Sequence, residues 1–215
     1  MNINKILLNE LQNRLLEKIG SNPISGKHLV VVDIQPEYQK YIGNDKLYKF
    51  INFLNKNYES LKRLTFLYNG EELGMISEDE YINWLIELGL DENIVDNARF
   101  YDKGYAFFRY CMDSGIEHES TINLVRFMYN NHINDSRELT EEFWDKFINE
   151  YGNDDIKELL ENSDDCINIP DLMSELRNYN NIIVCGGGIN ECLKEVEIAL
   201  NALEKEFTVL TQFTY

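Results

Sequence analysis

Two short runs constrain this chain more than anything else in it. His28 to Ile34 (HLVVVDI) and Asn181 to Cys185 (NIIVC) are almost wholly apolar and rich in β-branched residues. A strand with one wet face alternates polar and apolar positions, whereas a strand covered on both faces reads as an unbroken apolar run. Both runs are too short for a helix, and each ends in a polar or glycine-rich tip. They predict two neighbouring interior strands of a parallel sheet.

The segments between them keep the rhythm of βαβ units. Leu47, Phe50, Ile51 and Leu54 follow the first run at helical spacing. Leu64 to Tyr68 (LTFLY) is a second strand, stopped by Asn69-Gly70. Ser77 and Glu80 form a capping-box pattern ahead of Tyr81, Trp84, Leu85 and Leu88, with Gly89 as the stop. Asn93 to Tyr101 offers a third strand and Phe207 to Tyr215 a last one. Near the start, Leu8, Leu11 and Leu15 mark an amphipathic helix over residues 3–19, followed by Gly20 and a turn-rich joint holding Pro23. With right-handed crossovers these pieces predict one α/β domain over residues 1–215. Its form is a three-layer, doubly wound, mostly parallel sheet of order 3-2-1-4-5.

Residues 104–165 interrupt the pattern with helical signals and no clear strand. Thr140 is placed to cap a helix bearing Phe143, Trp144, Phe147 and Ile148. From Asp135 to Asp165 there are 12 acidic against 3 basic residues. This is the pattern of a helical insertion, anchored by its aromatic residues and solvated on its acidic face. Were those rings exposed, they would mark a partner surface or a homo-oligomer contact. Ile169-Pro170-Asp171 then reads as a helix start.

Charge excludes some functions. With 38 acidic and 20 basic residues, the formal charge is −18. A nucleic-acid backbone or an anionic membrane surface is therefore not expected as the main partner. No stretch approaches a membrane span, and the N-terminus has no signal-peptide pattern. Cys111, Cys166, Cys185 and Cys192 include no CxxC pair and read as free thiols of a reducing, cytoplasmic setting. His28, His118 and His132 are scattered, so neither a metal nor a cofactor is expected.

Three places carry chemistry. Asp33 ends the first strand, and Gln35 follows it. An acid there faces the crevice at the carboxyl ends of the strands, where burial raises a carboxyl pKa toward that of a general base. The alternative is a structural cap or ion pair. Second, a strand runs through Cys185 into Gly186, Gly187 and Gly188 and then into a helix, with Asn190 as its cap. That puts Cys192 in the first helical turn, where free N–H groups and the helix dipole favour a thiolate. The same N–H groups can stabilise an oxyanion. Glycines there also cradle phosphates, or simply let a helix approach a sheet, but neither GxGxxG nor a Walker lysine is present. Third, Lys103 follows the third strand, ahead of Phe107-Phe108.

Together these residues resemble the isochorismatase-like cysteine hydrolases. The resemblance rests on Asp33-Ile34-Gln35, on Lys103 with Phe107-Phe108, and on Cys192 six residues after Gly186. It implies a catalytic triad of Asp33, Lys103 and Cys192, with Gln35, Gly187, Gly188 and Ile189 binding the substrate or its oxyanion. A cis peptide often precedes the nucleophile helix in that family. The chain lacks the metal motif of the nicotinamidases in the family, and Lys103 and Cys192 are unusually far apart. The implied activity is metal-free hydrolysis of a small amide, ureido compound or ester. Two other readings stay open: a non-catalytic binding protein on the same scaffold, and a nucleotide or flavin module using the triple glycine.

Overall fold

The computed structural model describes residues 24–103, 111, 113–133, 138–152, 156–158 and 171–215. The helix expected over residues 3–19, the Phe107-Phe108 pair, Cys166 and Ile169-Pro170 lie outside these. The chain falls into two compact units: residues 1–102, 179–193 and 206–215 form the first, and residues 103–178 and 194–205 the second.

The first unit holds a five-stranded, all-parallel sheet in the order β3-β2-β1-β4-β5. Its strands are β1 (His28–Val32), β2 (Arg63–Tyr68), β3 (Arg99–Asp102), β4 (Ile182–Gly186) and β5 (Phe207–Val209). Every residue of β1 and of β4 is buried, as their apolar runs require. The fold is α/β, with the first strand central and the fourth beside it.

Between β1 and β2 run α1 (Gln39–Ile42) and α2 (Asn44–Asn57), and between β2 and β3 run α3 (Glu78–Glu87) and α4 (Glu92–Asn97). Leu47, Phe50, Ile51 and Leu54 form the buried stripe of α2. They share one core with Leu29, Val31, Phe66, Tyr81, Leu85, Ile183 and Cys185. Phe66 stacks on Phe100 with centroids 5.0 Å apart, and Tyr81 meets the Phe66 ring edge-on. The alternate positions Val30, Val32, Leu67 and Val184 are equally buried. The capping box of α3 forms as its sequence predicts: Ser77 Oγ accepts from the Glu80 N–H, and the Glu80 side chain accepts from the Ser77 N–H.

Two boundaries differ from the sequence reading. The third strand begins at Arg99 rather than Asn93, because Asp91 accepts a hydrogen bond from the Asn93 N–H at 2.8 Å and caps α4. The last strand ends at Val209. A 3-10 turn follows over Thr211–Phe213, and Phe213 drops between Phe50 and Phe53.

At the amino ends of the strands lies a buried polar group. His28 Nε2 is 2.9 Å from Thr65 Oγ1, and the His28 ring packs on Tyr179 at 3.9 Å. Burial, helped by the charges of Arg63 and Lys62, lowers the His28 pKa to about 4. An unfolded histidine titrates near 6.5. Above that pH both states are neutral and His28 contributes no pH dependence. As pH falls below it, the unfolded chain takes up a proton that the folded chain refuses until about pH 4. Stability should therefore fall by about 2–3 kcal/mol across this window on account of His28 alone. Urea titrations of the wild type and of His28→Gln, run from neutral pH to pH 4, isolate the effect as the difference between the two curves. Parallel curves would show that His28 carries no such linkage.

The second unit includes α5 (His118–Asn130), α6 (Glu141–Tyr151), α7 (Asp171–Arg177) and most of α8 (Cys192–Ala202). Thr140 caps α6 by accepting from the Phe143 N–H. Phe143, Trp144 and Phe147 are buried, and Phe127 of α5 meets Phe143 and Phe147 at 5.0 and 5.7 Å. These rings therefore close the core of the second unit itself. Glu141, Glu142, Asp145 and Glu150 are exposed, as the acidic face of the segment predicts. Arg126 donates to the Asn201 and Ala202 carbonyls, which close the last turn of α8. Among the described residues, no helix is long and apolar enough to cross a membrane.

Candidate functional site

The site is built at the carboxyl end of β1. Asp33 follows that strand directly and is fully buried. Its backbone is left-handed, with φ +45, a conformation that a non-glycine residue holds only when its surroundings enforce it. The enforcement is visible. The Asp33 N–H donates to the Leu67 carbonyl at 2.9 Å, and the Asp33 carbonyl accepts from the Tyr215 hydroxyl at 3.0 Å. The next carbonyl, of Ile34, accepts from the buried Tyr81 hydroxyl at 2.7 Å. Three hydrogen bonds thus set the direction in which Asp33 leaves the backbone.

Gln35 braces the ends of β1 and β2. Its side-chain oxygen accepts from the Asn69 N–H at 2.9 Å, and its Nε2 donates to the Asn69 carbonyl at 3.2 Å. The carboxamide copies a peptide unit and adds one more rung between the ends of β1 and β2. Glu37 Oε2 also accepts from Nε2, at 2.9 Å. Gln35 fixes the loop that carries Asp33.

On the neighbouring strand, Gly186 and Gly187 take left-handed conformations with φ +81 and +64. There is no cis peptide bond among the described residues. Helix α8 starts at Cys192, so the residue ahead of it is Glu191, and the expected cap at Asn190 falls one position too early. Cys192 itself stands in the first helical turn as expected, with its side chain half-buried and not sealed in the core. By contrast Cys111 and Cys185 are fully buried, and burial pushes the Cys111 thiol up to about 12 and that of Cys185 higher.

The amides of the turn divide into used and unused. The Ile189 N–H donates to the Tyr215 carbonyl at 2.9 Å, and the Glu191 and Leu193 N–H groups both donate to the Gly188 carbonyl. Ile189 is therefore not an open oxyanion donor here. Among the described residues, the N–H groups of Gly187, Gly188 and Asn190 are taken by no backbone carbonyl outside the helices and strands.

Tyr215 is the site residue that sequence reasoning missed. Burial holds its phenol far above the usual tyrosine range, and the charges of Asp33 and Cys192 add to that effect. The same phenol thus feels both proposed catalytic groups. Its only sequence signal was its place at the end of a run rich in β-branched and aromatic residues, which reads equally well as an ordinary strand residue.

Asp33, Gln35, Gly187, Gly188, Ile189 and Cys192 all belong to the first unit, and Lys103 to the second. Lys103 is buried, and its Nζ lies 2.9 Å from Glu195 Oε2, with side-chain exposures of 3 and 4%. A buried lysine with a buried carboxylate partner is not the solvated surface residue that a lone lysine usually is. No protein-family model, curated protein or solved structure matches the chain.

Proposed function

We propose that this chain is a cysteine-dependent hydrolase of a small amide, ureido compound or ester. The observation that carries the reading is a buried Asp33 held in a left-handed conformation, with Cys192 half-exposed in the first turn of α8 and both groups acting on the Tyr215 phenol. Strain of that kind clusters where a side chain must be aimed. In the proposed reaction Asp33 takes the Cys192 proton, and the sulfur attacks the substrate carbonyl carbon. The resulting oxyanion is met by turn amides, for which Gly187, Gly188 and Asn190 are the candidates. The C–N or C–O bond then breaks, and the proton held by Asp33 goes to the leaving group. Water attacks the thioester and returns the proton to sulfur as the acid departs. Lys103 enters through the family resemblance as the residue balancing charge, and Glu195 is the carboxylate beside it.

One observation favours a second reading, a binding protein without catalysis. The Ile189 amide, expected among the oxyanion donors, is already occupied by Tyr215.

The test is selective thiol labelling followed by activity. Cys192 should react with iodoacetamide at mildly acidic pH while Cys111 and Cys185 stay silent. Cys192→Ala should lower turnover of a responsive amide or ester by about a thousandfold or more, the scale on which loss of a covalent nucleophile is felt. Uniformly slow labelling that speeds up only near the pKa of an ordinary thiol supports the binding protein instead.

A further inference from the structure

We infer that Tyr215 is a positioning residue that couples the proposed base to the turn carrying the proposed nucleophile. The inference rests on the hydrolase reading. It goes beyond that reading by assigning a role to a residue to which neither motif nor resemblance points.

Tyr215 uses both its side chain and its backbone. At one end its hydroxyl donates to the Asp33 carbonyl at 3.0 Å. At the other its N–H donates to the Gly187 carbonyl at 3.2 Å, and its own carbonyl accepts from the Ile189 N–H at 2.9 Å. The second contact closes a two-bond bridge across the glycine turn, which leads into the helix of Cys192. Gly187 is packed so closely that a Cβ there would lie 2.8 Å from the Leu193 nitrogen. The Glu191 and Leu193 N–H groups also donate to the Gly188 carbonyl, which ties the turn to the start of α8. One residue thus holds the peptide that aims Asp33 and the loop that presents Cys192.

The anchorage of Tyr215 does not depend on its hydroxyl. Thr214 ahead of it is buried, and its carbonyl accepts from Lys46 Nζ at 2.5 Å. Phe213 is fixed in the core by Phe50 and Phe53. Substituting phenylalanine removes one hydrogen bond and leaves the ring, the backbone bridge and the tether in place. What is lost is the hold on Asp33. A left-handed aspartate with one of its backbone restraints removed relaxes toward ordinary geometry, and its carboxylate is aimed less well. Because burial keeps the phenol protonated, it donates throughout any practical assay range.

The experiment measures the rate of Cys192 alkylation by iodoacetamide against pH, assigned by peptide mass, in four proteins: wild type, Tyr215→Phe, Asp33→Asn and the double variant. In this probe reaction the thiolate displaces iodide, so it reports activation of the sulfur without needing a substrate. Buried Cys111 and Cys185 must stay unlabelled and so serve as fold reporters in each sample. Tyr215→Phe should slow labelling at mildly acidic pH by about three- to tenfold, the range one neutral hydrogen bond spans. Its pH midpoint should shift in the same direction as that of Asp33→Asn, and by less. The double variant should match Asp33→Asn alone, since the tyrosine acts through the aspartate. Wild-type labelling in Tyr215→Phe, with Asp33→Asn impaired, overturns the positioning role and leaves the hydrolase reading standing. So does a double variant whose losses multiply. If Asp33→Asn itself labels like wild type, Asp33 is not the base and both readings fall.

Discussion

Gly186→Ala is expected to lower the stability of the first unit by about 3–5 kcal/mol, combining left-handed strain with forced overlap. A Cβ at this position would lie 2.3 Å from the Val32 carbonyl oxygen and 2.9 Å from Ile34 Cγ1. Neither can yield cheaply. Val32 is paired with Gly186 in the ladder between the two central strands, and Ile34 is fully packed. Gly26 provides the control. It has φ +69 and nothing within 4 Å of its would-be Cβ, so Gly26→Ala isolates the conformational part, about 1 kcal/mol. Urea unfolding of the two variants separates the contributions. A Gly186→Ala loss no larger than the Gly26→Ala loss would remove the close-approach argument. The consequence for the site is direct, since Gly186 ends the strand that delivers the Cys192 turn.

The triple glycine illustrates how far residues alone can be read. Gly186 and Gly187 are explained by close approach, to Val32 and to the Leu193 backbone respectively. A Cβ on Gly188 would meet chiefly the side chain of Glu191, at 3.0 Å, which can move aside. A glycine run at a strand-to-helix turn is equally a phosphate cradle, an oxyanion loop or a packing device, and sequence offers no means of dividing it residue by residue.

Elsewhere legibility follows the range of the interaction. The sheet order was readable because HLVVVDI and NIIVC, as strands covered on both faces, require interior positions, and the crossover rule then leaves few arrangements. The capping box at Ser77 and the Thr140 cap were readable because donor and acceptor lie three residues apart. The span Asn93 to Tyr101 holds the start of β3 but also most of α4, whose signal was present in Asp91 ahead of Glu92-Asn93 as a helix cap. The tail was misread because FTVLTQFTY is rich in β-branched and aromatic residues to its end. The ladder nevertheless gives out after the Leu210 N–H reaches the Val184 carbonyl at 2.9 Å. What sequence could not show at all is contact across long separations. Tyr215 meets Asp33 across 182 residues and Lys103 meets Glu195 across 92. The left-handed turn at Asp33 was equally hidden, since Asp33-Ile34-Gln35 gives no local signal for it.

Glu195→Ala is expected to destabilise the second unit by about 3–5 kcal/mol, the usual effect of removing one member of a buried ion pair. Both side chains are almost completely buried, and the contact is a charge-assisted hydrogen bond of 2.9 Å. Alanine leaves the Lys103 ammonium in the interior without the carboxylate beside it, so the variant carries desolvation with less compensation. The pair's own net contribution is a separate quantity, and apolar replacement of both members reveals it. Lys103→Met with Glu195→Leu conserves much of the volume and carries no buried charge, so it should recover most of the loss in Glu195→Ala. A Glu195→Ala protein that unfolds within about 1 kcal/mol of wild type would show the ammonium to be stabilised chiefly by other groups. The double variant also separates structure from chemistry. If Lys103 serves only the fold, a stable double variant keeps wild-type labelling of Cys192 and wild-type turnover. If Lys103 balances charge in the proposed reaction, the double variant stays folded while turnover falls. A Tm measured beside kcat on one preparation distinguishes the two.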